Sequence, residues 1–213
     1  MSLTRSRKHR IRRADAADIA RLVNNEHYWT SEALHEILKR VRSLCHEDPE
    51  QAFKAGLSAL EILKTRMVDP EDDLAAYTLA VHASTLRGIG KLSGSLEVYE
   101  QALSLRRLSR SRRGDIFARM AVTLTLLRRP KEGVTAIDRA LALTPGDLVG
   151  LAIRGWVRMV NGELAASLKD SLAVIQKSKG KPCDIERPPA VHAIGNAANV
   201  LSYELSYEVD EST

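Results

Sequence analysis

Along most of this chain apolar residues return at steps of three and four, the spacing that lays one stripe along a helix. In 189–205, for example, Ala190, Val191, Ile194, Ala197, Ala198 and Leu201 share one side. Alternating β-branched runs, which would mark strands, are scarce. The breaks in the pattern coincide with prolines. Pro49, Pro70, Pro130, Pro145, Pro182, Pro188 and Pro189 all stand between periodic segments. Asp48-Pro49-Glu50-Gln51 and Asp69-Pro70-Glu71-Asp72 carry the chemistry of helix starts. In each, the Asp can accept from an exposed amide, the Pro has no amide to leave unpaired, and acids in the first turn suit the positive end of the helix dipole. The pattern predicts an all-α protein.

The helices come in pairs with matched internal distances. Small residues Ala83, Ala121 and Gly155 fall near the middle of three first helices, and Ser95, Gly133 and Ser167 follow each of them by twelve residues. Seven further on stand Ala102, Ala140 and Val174. The links between units vary instead: 38 residues separate Ala83 from Ala121, and 34 separate Ala121 from Gly155. Constant spacing inside a unit with variable links is the mark of a helical-hairpin repeat, because close helix contact demands small side chains at fixed places while outer loops tolerate insertions.

These residues resemble the tetratricopeptide repeat (TPR). In the first helices Phe117, Met120, Ala121 and Leu124 match its pattern, as do Leu79, Ala83 and Leu86 with His82 irregular. Leu151 and Gly155 match, while Arg154 and Arg158 depart from the apolar preference. In the second helices Ser95, Tyr99 and Ala102 fit, and Gly133, Ile137 and Ala140 fit with Pro145 closing the unit. Gly90 and Gly162 fall in the turns within pairs. The resemblance implies an α-solenoid of antiparallel helix pairs, a TPR-like right-handed superhelix with a C-terminal capping helix. The expected organisation is a basic, disordered arm over 1–14, then a helix and a degenerate hairpin over 15–75. Three repeats over 76–177, a loop over 178–188, the capping helix over 189–205 and an acidic tail over 206–213 complete it.

In such folds the first helix of each pair lines a concave face. The resemblance places Ala80, Ser84 and Arg87 there, with Tyr77 at the start of the same helix. It also places Ala118, Val122 and Thr125, then Ala152, Trp156 and Met159. Relatives that capture C-terminal carboxylates use lysine, asparagine and arginine at such sites, which the alanines, valine and tryptophan here disfavour. An apolar groove with small residues suits an amphipathic helix, and Trp156 would anchor it.

Charge adds a second feature. The chain of 213 residues has a formal charge of +5, with 44% hydrophobic and 28% charged residues. Arg5, Arg7, Lys8, Arg10, Arg12 and Arg13 supply six positive charges within the first thirteen residues and no acid, so the remainder sums to −1. Such a run can bind nucleic-acid phosphates through counterion release. No apolar run reaches eighteen residues, which predicts no membrane span, and the charged N-terminus lacks a secretory pattern. Cys45 and Cys183 stand far apart and unpaired in motif, so neither a disulfide framework nor a cysteine zinc site is expected, and the cytoplasm is the expected compartment.

Candidate chemistry is sparse. Gly88-Ile89-Gly90-Lys91 resembles a fragment of a phosphate loop, but Thr85 and Leu92 stand where glycine and Ser or Thr are needed. Asp72 and Asp73 fit a helix start better than a catalytic pair. Ile11 to Ile19 resembles the opening of acyl-CoA N-acetyltransferases, yet no Gly-rich pyrophosphate turn follows, and a short helix from Asp15 to Val23 accounts for it. The sequence therefore predicts a non-enzymatic scaffold for a protein partner, with no cofactor, metal or membrane. The alternative is a regulatory protein whose basic arm also touches DNA or RNA.

Overall fold

Two short helices precede four helical hairpins in the computed structural model, which describes residues 3–67, 72–178 and 195–200. Among the described residues every regular element is a helix, and none is long and apolar enough to cross a membrane. The chain divides into two compact units, 1–112 and 113–213.

The first unit opens with α1 (Arg5–Arg13) and α2 (Ala16–Leu22). A 3-10 turn (Glu26–Tyr28) leads into α3 (Ser31–Glu47) and α4 (Pro49–Glu61), which runs on as a π turn (Ile62–Arg66). The hairpin α5 (Asp72–Gly88) and α6 (Leu92–Ser104) completes it. Asp48 ends α3 and starts α4: its Oδ1 accepts from the amides of Glu50 and Gln51 at 3.1 Å, with Pro49 as the first helical residue. The corresponding start at Asp69-Pro70 lies outside the described residues. Asp15 caps α2 by accepting from the Asp18 amide at 2.7 Å, and α2 packs on α4, so the segment that resembles an acetyltransferase opening is the junction between α1 and α2. Ile11, Ile19, Leu34, Ile37, Leu38, Val41, Ile62 and Val81 are buried together in this unit's core.

The basic arm is where the structure corrects the sequence reading. Residues 5–13 form α1, capped by Thr4 and packed on α3. The order comes from groups distant in sequence. Ile11 and Leu3 enter the core, the Leu3 amide donates to Glu32 at 2.7 Å, Lys8 pairs with Glu32 at 2.7 Å, and Arg12 approaches Glu36 at 3.5 Å. Glu32 and Glu36 stand one turn apart on α3, so they face α1 together.

The second unit holds α7 (Arg110–Leu126), apart from its first three residues, with α8 (Pro130–Leu143), α9 (Leu148–Val160) and α10 (Leu164–Ser178). Of the expected capping helix, residues 195–200 are described and are helical. The 178–188 loop after Ser178 and the acidic tail lie outside the described residues. All nine small or apolar residues of the repeat register are buried: Ala83, Ser95 and Ala102 in the first unit, and Ala121, Gly133, Ala140, Gly155, Ser167 and Val174 in the second. A Cβ added at Gly133 would stand 2.7 Å from Thr125 Oγ1 and 3.1 Å from the Ala121 carbonyl. At Gly155 it would lie 3.0 Å from Ser171 Oγ. These contacts explain why residues without bulk recur there.

The turns inside the three later hairpins repeat as well. The amides of Lys91, Arg129 and Glu163 each donate at 2.9 Å to a carbonyl five residues back, on Leu86, Leu124 and Arg158. This closure requires a left-handed residue just before the donor. Gly90 and Gly162 fill that place at φ 77° and 83°, and the segment resembling a phosphate loop is thereby this turn. In the middle hairpin Arg128 occupies it at φ 62°, a conformation that costs a side-chain-bearing residue about 1–2 kcal/mol. Replacing Arg128 with Gly relieves that cost and adds back some unfolded-chain entropy, for a net gain of about 0.5–1 kcal/mol. A rise in the urea midpoint of R128G checks this; a fall would show that the turn is not strained.

Candidate partner-binding faces of the first helices

In the first unit the expected lining is mostly closed. Tyr77 is 4% exposed. Its ring lies 5.3 Å from the His35 ring on α3, the Arg112 guanidinium stands over it at 4.1 Å, and Arg42 donates to its hydroxyl at 3.5 Å. Ala80 is fully buried. Ser84 Oγ donates to the Ala80 carbonyl at 3.0 Å and shares a 2.9 Å hydrogen bond with the Tyr99 hydroxyl. Arg87 also donates to that hydroxyl at 3.3 Å. Tyr99 is thus the organising side chain. It fills the bulky position of α6, and its hydroxyl reaches back to the polar residues of α5.

Polar loop contacts account for other candidates in this unit. Asp72 accepts from the Arg107 amide at 2.8 Å, and Asp73 accepts from the Ser109 amide at 2.8 Å. Asp73 also stands 3.6 Å from Arg112. These acids organise the loop between α6 and α7, which carries Arg106 and Arg107. The irregular His82 is buried and stacks on Phe53 with centroids 5.8 Å apart. Burial, with a smaller contribution from the Lys64 charge, pushes its pKa down to about 4, so it packs as a neutral ring.

The second unit is different. Ala118, Thr125 and Ala152 are buried, with Thr125 Oγ1 donating to the Ala121 carbonyl at 2.8 Å. The Ala152 carbonyl accepts from Asn196 Nδ2 at 3.2 Å, so the chain's own C-terminal helical segment covers part of α9. Val122, Trp156 and Met159 are half-buried. Beyond them, Leu126 is 45% exposed and Val160 is 42% exposed. Val122 and Leu126 are one turn apart on α7, and Trp156 and Val160 hold the same repeat positions on α9. The sequence reading missed Leu126 and Val160. Their signal was present: each is the apolar residue immediately after an expected lining position.

Arg154 and Arg158 also find their reason here. Arg154 forms a two-pronged pair with Asp170 of α10, at 2.8 and 2.7 Å, and reaches Asp138 of α8 at 3.1 Å. Arg158 donates to the same Asp170 at 2.8 Å and lies 3.6 Å from Glu163. Asp170 is only 4% exposed. Hydrogen bonding to Asp170, outweighing burial, raises the Arg154 pKa above its ordinary value. Asp170 ties α10 to α9, and Asp138 adds α8 through Arg154, at positions where the repeat pattern prefers apolar residues. Among the described residues, no three of His, Cys, Asp and Glu gather as metal ligands.

No known family matches the sequence. No curated protein matches it either. Solved structures do match. A crystal structure of nearly identical TPR-like repeats from a kinesin light chain of Podosopora anserina is similar at a TM-score of 0.62 and 12% identity, over 86% of this chain and 92% of that one. A point-substituted form of the same repeats gives 0.61 and 12%, over 91% of each. At this identity the likeness concerns the fold: the chain is an all-α array of TPR-like helical hairpins.

Removing the Asp170 carboxylate would leave two partly buried guanidiniums short of their main partner. Loss of one member of such a pair costs about 3–5 kcal/mol, and the lower end applies because both arginines retain contact with water and with Asp138. Chemical denaturation of Asp170→Ala should show a loss of about 3 kcal/mol; a loss under about 1 kcal/mol would mean the clamp is incidental.

Proposed function

We propose that this chain is a non-enzymatic interaction scaffold that holds an apolar helical segment of a protein partner against its first helices. The observation that supports this reading best is the pair of matched exposed residues, Leu126 and Val160, beside half-buried Val122 and Trp156. A stripe repeated on two equivalent helices suits the evenly spaced anchors of an amphipathic helix. Met159 borders it, while Ala118, Thr125 and Ala152 serve as its floor. Trp156 is the expected anchor, since tryptophan is enriched among residues that dominate binding energy. In the first unit the equivalent positions on α5, Tyr77, Ala80, Ser84 and Arg87, are taken up by internal packing and hydrogen bonds, so the proposed surface is limited to α7 and α9.

The test combines Trp156→Ala with Val160→Glu, each compared with the native chain as bait in cell extract. Val160 is exposed, so its substitution leaves thermal unfolding unchanged, and it should abolish retention of the co-purifying partner. Trp156→Ala should weaken binding about thirty-fold, as befits a hot-spot side chain worth about 2 kcal/mol. Unchanged retention by both variants, with both still melting cooperatively, would remove the reading.

A further inference from the structure

The docking of α1 sorts its six basic residues into two groups. Lys8 and Arg12 face α3 and meet Glu32 and Glu36. The guanidiniums of Arg5, Arg7, Arg10 and Arg13 make no ion pair or hydrogen bond among the described residues, and Arg5, Arg10 and Arg13 are exposed. At 3.6 residues per turn, Arg5, His9, Arg13 and Arg10 cover an arc of about 140° on the side away from Ile11. The nearest acids in sequence are engaged elsewhere: Asp15 caps α2, and Asp18 pairs with Arg21 at 2.9 Å. The first thirteen residues carry six positive charges and no acid, while the remaining residues sum to −1, so the chain's net positive charge resides in this segment.

We propose that this face binds the phosphodiester backbone of a nucleic-acid duplex, without sequence preference. Three features choose that occupant. The exposed cations are arginines, whose planar fork suits phosphate oxygens. Among the described residues of the segment, the apolar ones, Leu3 and Ile11, are buried. A membrane-surface helix needs an apolar face to insert, and a specific protein interface needs an apolar centre; α1 offers neither. It also presents no Phe, Tyr or Trp on which unpaired bases could stack, which disfavours single strands. From Arg5 to Arg13 the helix rises about 12 Å, enough to meet three or four phosphates of one strand at about 3.4 Å of duplex rise each. Because α1 is already ordered, no folding cost is deducted from the binding. This site shares no residue with the partner face proposed above, and each proposal can fail alone.

The experiment measures anisotropy of a labelled duplex of about 25 base pairs, as DNA and as RNA, titrated with the full chain between about 50 and 200 mM salt. Three phosphate contacts give a slope of log K against log salt near −2.7, or about a forty-fold loss over that range. The triple variant R5Q/R10Q/R13Q should bind at least ten-fold more weakly at low salt, with most of the slope gone. It should melt with the native chain, since none of the three side chains is paired. A control variant, K131Q/K169Q/K177Q, removes equal charge from exposed positions of the second unit and should change binding less than two-fold. Tighter binding of either duplex supports the proposal, and the tighter of the two names the source. No binding at 50 mM salt, equal losses in both variants, or preference for single strands or for phosphatidylserine vesicles would overturn it.

Discussion

Close approach of helix backbones is the constraint on which the rest of this structure depends. Gly133 lies under the end of α7 with no space for even a methyl group, and Gly155 is nearly as confined beneath Ser171. Ala83 with Ser95, and Ala121 with Ala140, occupy equivalent buried places. Helices that pass this closely exclude water from both flanks, so each hairpin gains apolar burial and dispersion contacts without needing many large side chains. That suits a chain with only 4% aromatic residues.

Where the register breaks, the substitute interactions are polar. Asp170 gathers Arg154 and Arg158 at positions that would otherwise be apolar. Within the register, too, a polar group is used: Tyr99, at the bulky position of α6, links Ser84 and Arg87 through one hydroxyl. Such clusters contribute little net stability compared with apolar packing of equal volume, but they penalise any alternative pairing that strands a charge. They also shape the surface. The first unit's face is closed by Tyr77, His35 and the arginines around them, whereas the second leaves an apolar stripe in water.

This division decides what was legible in the sequence. Hairpin boundaries were, because Pro49 and Pro130 start helices and Gly90 and Gly162 close turns by local chemistry alone. The order of α1 was not, since Glu32 and Glu36, which hold Lys8 and Arg12, lie about twenty residues away from them. Nor was the closure of Tyr77, which depends on α3 and on Arg112. The turn at Arg128 escaped notice because only its hydrogen bonds, not its residue type, mark the left-handed place. In the proposed partner-binding face, burial of Ala118, Thr125 and Ala152 depends on tertiary packing, while exposure of Leu126 and Val160 follows from their register, one step outside the expected set.

The central claim, that steric room at small residues sets the helix spacing, is tested most directly by a double-mutant cycle between Gly133 and Thr125. Gly133→Ala should destabilise the protein by about 1–3 kcal/mol, although alanine is the better helix former by nearly 1 kcal/mol. With Thr125→Ala already in place, the hydroxyl that the new methyl would strike at 2.7 Å is gone. The second substitution should then cost at least about 1 kcal/mol less, a coupling well outside additivity. Stabilisation by Gly133→Ala alone, or additive effects in the pair, would contradict the account.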